Sequence, residues 1–203
     1  MVDPQLKVIF FDLGSVLIHV DEDNAITQLC ELTGKSLEQI KKDFDAKRSL
    51  FDAFNKGELG RHEFYQNMRR SYHLSFQQFY DVYTSIFHLN ESVLSIAKQL
   101  APRYRLSIIS NTDELHYERI CNDYLDLSLF ENPITSFQAG ALKPDAKIYQ
   151  YALQQLEISA ESSLLIDDKT ENVQGAQAMG MNALHFTSAD QLIYDLNQLG
   201  INL

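Results

Sequence analysis

The sequence has few cysteines, no long apolar run and little positive charge, and each shortage excludes a class of protein. Its two cysteines, Cys30 and Cys121, lie far apart and lack metal-site spacing, so we expect two free thiols in a reducing compartment. No apolar run approaches the roughly 20 residues that span a bilayer. The formal net charge of -11 disfavours nucleic-acid and anionic-membrane partners, because both attract basic surfaces.

Signals for targeting, repeats and linkers are also missing. The N-terminus has no basic segment followed by an apolar stretch and a cleavage site, so we expect no signal peptide and a cytoplasmic location. No internal repeat, low-complexity tract or proline-rich linker divides the 203 residues. A chain of this length buries roughly 70% of its unfolded surface. We therefore expect one core with room for a smaller insert.

The first apolar segment ends in an aspartate. Val8, Ile9, Phe10 and Phe11 form a continuous apolar run, which is typical of a strand buried on both faces of a parallel sheet. Asp12 follows this run directly and precedes a turn of small residues. A carboxylate at the carboxyl end of such a strand lies where open α/β sheets bind ligands, and its burial is costly without a cation or hydrogen bonds. We interpret Asp12 as functional.

From there to about residue 93 the pattern is helical and contains no strand signal. Asp23 can cap a helix that Gly34 ends, and Ser36 with Gln39 forms the capping-box pattern of the next helix. Aromatic residues follow in stripes, which favour core packing over a ligand-facing wall. The two stripes lie at 61–73 and 76–88.

After Asn90, which can cap a helix to about residue 100, strands and helices alternate. This alternation implies right-handed βαβ crossovers and a parallel sheet. The expected fold is α/β, a doubly wound parallel sheet (1–18 and 92–203) with an all-helical cap (19–91) inserted after the first strand. The cap would lie over the carboxyl ends of the strands and control access. Strands are expected at 105–110, 134–137, 163–167 and 182–186, and helices at 113–124, 145–156, 170–179 and 189–199.

Polar residues follow four of these strands. Each has a plain explanation as a helix cap, a turn residue or a solvated side chain. Together they indicate a binding site, because the carboxyl ends of parallel strands meet at one edge of the sheet. The set comprises Asp12, then Ser110, Asn111 and Thr112, then Lys143, and finally Asp167 and Asp168, with Asn172 one turn further on.

The residue types in this set indicate phosphoryl chemistry. Three carboxylates brought together repel one another unless a cation lies between them, and Mg²⁺ accepts carboxylate, carbonyl and water oxygens. Zinc is disfavoured because no histidine or cysteine cluster accompanies the acids. A carboxylate can attack phosphorus to form an aspartyl-phosphate that water hydrolyses. Lys143, the Ser110 hydroxyl and the amides that open helix 113–124 can neutralise the phosphoryl oxygens.

These segments resemble, in order, the four motifs of the haloacid dehalogenase superfamily, and the resemblance covers nearly the whole chain. The motifs correspond to residues 11–16, 110–112, 143–145 and 167–172, and the helical insert resembles the first-position cap of the family. The Asp-Leu-Gly loop and the segments 56–64 and 143–149 are most similar to the branch that contains bacterial α-D-glucose-1-phosphate phosphatase.

The resemblance implies a Mg²⁺-dependent phosphatase of a small phosphorylated metabolite, such as a sugar-1-phosphate. It implies that Asp12 is both nucleophile and metal ligand. The Gly14 carbonyl and Asp168 would be the other protein ligands, and Asp167 would hold metal-bound water. The implied substrate-binding residues are Ser15, Ser110, Asn111 and Lys143, of which Lys143 also bridges the charges of nucleophile and phosphate.

One position departs from the family pattern. Most phosphatases of the superfamily carry a general acid and base, an aspartate, two residues after the nucleophile, where this chain has Gly14. Losing such a group costs about a hundred- to ten-thousand-fold in rate. Sugar-1-phosphates, acyl phosphates and aryl phosphates, which have good leaving groups, should suffer least. His19 and Asp21 are candidate replacements by position, and a substrate hydroxyl or a metal-ordered water is equally open.

Two other functions compete with the phosphatase. A metal-free dehalogenase also uses the first aspartate and needs no second one, but such enzymes avoid paired acids like Asp167 and Asp168. A catalytically weak binding or regulatory protein would account for Gly14. The intact nucleophile, lysine and metal residues argue against it.

Overall fold

Five parallel strands form the central sheet in a computed structural model, which describes residues 6–203. Their order across the sheet is β5-β4-β1-β6-β7, so the expected doubly wound α/β fold is confirmed. A separate antiparallel pair, β2 and β3, joins the sheet region to the helices between them. The strands are β1 (Val8–Phe11), β2 (Ile18–Val20), β3 (Phe87–Leu89), β4 (Arg105–Ser110), β5 (Ile134–Thr135), β6 (Ser163–Asp167) and β7 (Asn182–His185).

The helices after β3 alternate with strands as the sequence pattern indicates, with one exception. The strand expected at 134–137 ends at Thr135, and a short helix (Ser136–Ala139) follows it before the next long helix. Asn90 caps the first helix after β3 by accepting a hydrogen bond from the Val93 amide. The helices are α1 (Glu22–Thr33), α2 (Leu37–Ala46), α3 (Arg48–Asn55), α4 (Arg61–Tyr72), α5 (Phe76–Tyr83), α6 (Glu91–Leu100), α7 (Glu114–Asp123), α8 (Ser136–Ala139), α9 (Ala146–Gln155), α10 (Thr170–Ala178) and α11 (Ala189–Gln198). None of them, within residues 6–203, is long and apolar enough to cross a membrane.

Strand β1 lies at the centre of the sheet because its side chains are apolar on both faces. Ile9 and Phe11 belong to one hydrophobic cluster, which includes residues of α6 and α11. Val8 and Phe10 belong to a second cluster on the other face, which includes residues of α9 and α10. All four side chains are fully buried.

Helices α1 to α5, which we call the helical insert, have a hydrophobic cluster of their own. Phe64, Tyr65 and Phe79 lie in it, so core packing of the aromatic stripes is confirmed. The capping box of Ser36 and Gln39 is also present. Asp21 rather than Asp23 caps α1, by accepting a hydrogen bond from the Asn24 amide.

The expectation that no strand lies between residues 19 and 93 is wrong. Strand β3 pairs with β2 through Ile18–Leu89, His19–His88 and Val20–Phe87. Helix α5 therefore ends at Tyr83 instead of continuing to residue 88. The pairing partner lies far away along the chain, so the local helical pattern contained no sign of this two-stranded ribbon.

Candidate active site

Three neighbouring strands deliver polar side chains to one edge of the sheet. Phe11 lies in register with Ile108 of β4 and with Ile166 of β6. The Asp12 amide continues this ladder by donating to the Ile166 carbonyl at 2.9 Å. Parallel register thus places Asp12 level with Asp167, the last residue of β6, and one position short of Ser110, the last residue of β4.

The Lys143 ammonium lies among these carboxylates. Its side chain is fully buried, and Nζ is 2.9 Å from Oδ2 of Asp12 and 2.5 Å from Oδ2 of Asp167. Nζ also donates to the Ile109 carbonyl at 2.7 Å. Burial alone lowers the pKa of Lys143, but the attraction of Asp12 and Asp167 outweighs it and the net direction is upward. Lys143 is therefore a charged group held between two acids.

Asp167 is fully satisfied by the protein itself. Its Oδ1 accepts hydrogen bonds from the Lys169 amide and from the Asn172 side chain, each at 2.9 Å, while Oδ2 faces Lys143. The side chain is 0% exposed. Asn172, placed one turn into the following helix by the sequence, thus orients Asp167.

The surroundings of Asp12 shift its carboxyl towards the neutral form relative to a free aspartate. Burial raises its pKa to about 6, against the attraction of Lys143 and with the added repulsion of Asp167 and Asp168. Its Oδ1 accepts the Leu13 amide at 2.7 Å. A divalent cation near this carboxylate would favour the ionised form.

Asp12, Asp167 and Asp168 form a group that could hold a metal ion. One carboxylate oxygen from each lies within 4.8 Å of the others. Asp168 is half-buried, and its carbonyl lies 2.9 Å from Nε2 of His185, at the end of β7. Three carboxylates and one ammonium leave an excess of negative charge, which suits a hard cation with oxygen ligands.

The 110–112 loop, formed by Ser110, Asn111 and Thr112, lies against the same group. Ser110 is 2% exposed. The Asn111 side chain makes two hydrogen bonds to the Lys143 backbone: its Nδ2 donates to the carbonyl at 2.9 Å and its Oδ1 accepts the amide at 2.7 Å. Asn111 thereby fixes the segment that carries the buried lysine.

Gly14 and Ser15 lie in the turn after Asp12. Ser15 is exposed, has a φ of 60° and donates its amide to the Ile18 carbonyl at 2.7 Å. A Cβ placed on Gly14 would lie 3.7 Å from a methyl group of Val20. The side of β2 that faces Gly14 is therefore apolar.

The structure disfavours both candidate replacements for the missing acid. Side chains alternate along a strand, so His19 lies on the face of β2 opposite to Val20 and points away from Gly14. Asp21 uses its carboxylate to cap α1. The alternation of side chains along β2 and the helix cap therefore argue against His19 and Asp21 as the proton donor beside Gly14.

The sequence does not single out Asp113, a buried acid beside the site. Asp113 follows the 110–112 loop and is 1% exposed. The sequence indicates only that a helix begins near residue 113. Its contact with Tyr83, thirty positions away, leaves no mark in a local pattern.

The family of haloacid dehalogenase-like hydrolases matches residues 6–180. The chain belongs to this family. The matched region contains the three aspartates, Lys143 and the 110–112 loop, together with four of the five strands of the sheet. The expected superfamily is thus confirmed, and the chain is a haloacid dehalogenase-like hydrolase.

Solved structures of the family share this fold. A haloacid dehalogenase-like hydrolase from Porphyromonas gingivalis is 25% identical, with a TM-score of 0.82 over 98% of this chain and 100% of that one. A family enzyme from Bacteroides thetaiotaomicron, crystallised with magnesium and inorganic phosphate, is 22% identical, with a TM-score of 0.81 over 90% of this chain and 94% of that one.

Curated relatives of this hydrolase include named phosphatases. A sesquiterpene phosphatase from Aspergillus oryzae is 38% identical over 86 residues, which are 42% of this chain and 40% of the relative. The D-ribitol-5-phosphate phosphatase of Bacteroides thetaiotaomicron is 22% identical over 86% of this chain and 89% of its own length. The chain spans about two fifths or less of the first curated relatives that it matches.

Proposed function

We propose that this hydrolase is a Mg²⁺-dependent phosphatase of small phosphorylated metabolites. The observation that carries the proposal is the group of Asp12, Asp167 and Asp168 around a buried Lys143. A nucleophile needs an ionised oxygen with an available lone pair, and a phosphate needs positive charge beside it. This edge of the sheet supplies an acid at the end of β1 and an ammonium 2.9 Å from it.

The donor set fits magnesium. Asp12, Asp168 and the Gly14 carbonyl would hold the ion, and Asp167 would stand behind them because Lys143, Lys169 and Asn172 already occupy its oxygens. When bound, the ion supplies neutralising charge for the phosphoryl oxygens. The structural relative from Bacteroides thetaiotaomicron, which was crystallised with magnesium and inorganic phosphate, supports the choice of magnesium.

Asp12 is the proposed nucleophile. One of its carboxylate oxygens attacks phosphorus, the bond between phosphorus and the leaving oxygen breaks, and an aspartyl-phosphate forms on Asp12. Water then attacks phosphorus and releases phosphate. Lys143 would hold positive charge beside both the nucleophile and the transferred group, Ser110 would bind phosphoryl oxygens, and Asn111 keeps the Lys143 backbone in place.

The substrate is proposed to have a good leaving group. Gly14 offers no proton, and the nearby Val20 side chain is apolar. Sugar-1-phosphates fit this requirement, in keeping with the similarity to the glucose-1-phosphate phosphatase branch. The relative named for D-ribitol-5-phosphate makes a sugar-alcohol phosphate the second substrate to test. We propose that the segment 19–91 acts as the cap that selects among them.

Asp12→Asn tests the proposal directly. The substitution removes the nucleophile and its charge but little volume, so turnover of an aryl phosphate with Mg²⁺ should fall to background while the fold remains. Asp190→Asn, an exposed acid in the first turn of α11, is the matched control and should retain the parental rate.

A panel of sugar-1-phosphates, sugar-5-phosphates and aryl phosphates, assayed for phosphate release with and without a chelator, identifies the substrate class. Parental turnover in Asp12→Asn would refute the assignment of the nucleophile. Activity on a haloacid that persists with the chelator would instead establish a dehalogenase. Phosphate binding without turnover in the parental protein would indicate a regulatory role.

A further inference from the structure

A buried polar cluster outside the active site joins the helical insert to the sheet domain. The Tyr83 hydroxyl, on α5 of the insert, donates to Oδ2 of Asp113 at 2.7 Å. Nδ1 of His116, on α7, lies 2.9 Å from the same oxygen. The Tyr83 and His116 rings stack with their centroids 4.0 Å apart. The proposed reaction uses none of these three groups.

The same Asp113 carboxylate fixes the start of α7. Its Oδ1 accepts hydrogen bonds from the Leu115 amide at 2.9 Å and the His116 amide at 3.0 Å. Asp113 directly follows the 110–112 loop. One carboxylate oxygen therefore binds the insert while the other holds the point at which the loop enters the helix.

A second contact joins the loop to the insert on its other side. The Thr112 amide donates to Oγ of Ser136 at 3.0 Å, and the Ser136 hydroxyl lies 2.6 Å from the Asn55 carbonyl at the end of α3. Ser136 is 0% exposed. The loop is thus held between two helices of the insert, through Asp113 and through Ser136.

Helix α7 is also packed into the insert. Leu115 is a member of the hydrophobic cluster of the insert. On the surface, Arg61 of α4 forms ion pairs with Glu114 and Glu118 of α7 at 3.0 Å and 2.7 Å. The apolar contacts of Leu115 hold the two parts together without fixing a single register. The partly exposed ion pairs of Arg61 contribute little, whereas a hydrogen bond to a buried charge is strong and directional.

We propose that Asp113 is a positioning residue through which the insert sets the place of the 110–112 loop. The inference rests on the proposed function, which makes this loop the phosphate-binding one. Movement of the loop would also displace Lys143, because the Asn111 side chain forms hydrogen bonds with both the carbonyl and the amide of Lys143. The insert thus acts on phosphate binding without touching phosphate.

Tyr83→Phe tests this coupling, because it removes the hydroxyl and keeps the ring that stacks on His116. Tyr80→Phe is the matched control, since Tyr80 is a partly buried tyrosine on the same helix. A hydrogen bond to a charged group corresponds to roughly a tenfold change in equilibrium or more. In Tyr83→Phe we expect amide exchange at residues 110–116 to accelerate by about tenfold, with kcat on an aryl phosphate falling in parallel. Tyr80→Phe should match the parent in both.

Ser136→Ala probes the second contact and should change exchange and kcat in the same direction. Asp113→Ala should lower kcat and accelerate loop exchange more than Asp113→Asn does, because asparagine keeps an oxygen that can accept the amides at the start of α7. A Tyr83→Phe variant that melts earlier, yet matches Tyr80→Phe in loop exchange and in kcat, would overturn the inference and leave a purely structural contact. If the parent protein shows no phosphatase activity, the proposed function is refuted. Faster loop exchange in Tyr83→Phe would still support the coupling between the insert and the loop.

Discussion

Gly14 has the space and the backbone conformation to accept a Cβ. An added Cβ meets only a Val20 methyl, at the ordinary contact distance of 3.7 Å, and its φ lies outside the left-handed region. The absence of an acid here is therefore a chemical feature of the site and not a steric necessity.

Gly14→Asp should consequently gain activity on substrates with poor leaving groups. The new carboxyl would lie two residues from Asp12 and could protonate a departing alkoxide. We expect kcat on a primary alkyl phosphate to rise by about tenfold or more, and on an aryl phosphate to change little. Gly14→Ala, which adds the Cβ without the acid, is the control. Equal behaviour of the two variants would show that position 14 has no part in proton transfer.

The residues that the sequence predicted at the site lie mostly at the end of a strand or directly after one, whereas Lys143 follows α8. Asp12, Ser110 and Asp167 could be predicted to meet because parallel register brings strand ends together. The Asn111 side chain shows the limit of this reasoning. It bonds to the backbone of Lys143, and no spacing along the chain reveals such a bond.

At the scale of elements, local patterns predicted those helix ends whose signal lies within one turn of sequence. Ser36 and Asn90 each accept a hydrogen bond from an amide three residues later, and Gly34 ends α1 in a left-handed conformation. The end of α5 at Tyr83 depends on β3 pairing with β2 across the whole insert. Such pairing is a property of the tertiary structure.

Gly57 of the insert packs closely against the backbone of α8. A Cβ at this position would lie 2.3 Å from the Phe137 carbonyl oxygen, and its φ is 69°. Gly57→Ala should destabilise the protein by about 1 kcal/mol from backbone strain and by roughly 1–3 kcal/mol more from the clash. Gly34→Ala measures the cost of backbone strain alone, because Gly34 has a φ of 70° and a Cβ added there would meet no atom within 4 Å. Urea unfolding of the two variants measures the difference between their free energies of unfolding. Identical midpoints would contradict the close approach of Gly57 to the Phe137 carbonyl.

The contact between α5 and α7 should make stability depend on pH. Nε2 of His116 faces the Tyr83 carbonyl at 2.9 Å and Nδ1 faces Asp113, so both ring nitrogens meet acceptors. Burial lowers the pKa of His116, but Asp113 and the other partners outweigh it and the net direction is upward. For Asp113, burial raises the pKa, while His116 and Tyr83 bring it below its usual value.

The stabilisation from a raised histidine pKa is complete below the unfolded value of about 6.5 and is lost as pH rises through the folded value. The stabilisation due to the lowered pKa of Asp113 is complete above the unfolded pKa of about 3.9, and it is lost as pH falls through the lower pKa of the folded state. The free energy of unfolding of the parent, minus that of His116→Gln, should therefore be largest between these limits. Chemical unfolding from pH 4 to pH 9 measures it; a difference that grows towards pH 9 would contradict the charged pair.

For the whole molecule, magnesium should stabilise the fold through the acidic group and not through general screening of the net charge of -11. An ion at 100 times its Kd contributes about 2.7 kcal/mol, which corresponds to a rise of roughly 5–10 °C in Tm for a chain of this size. Asp168→Asn should lose most of that rise, whereas Asp190→Asn, an exposed site with the same change in charge, should keep it. Melting at constant ionic strength separates the two causes. Equal shifts in the two variants would attribute the effect to diffuse screening, because only the position of the lost charge differs between them.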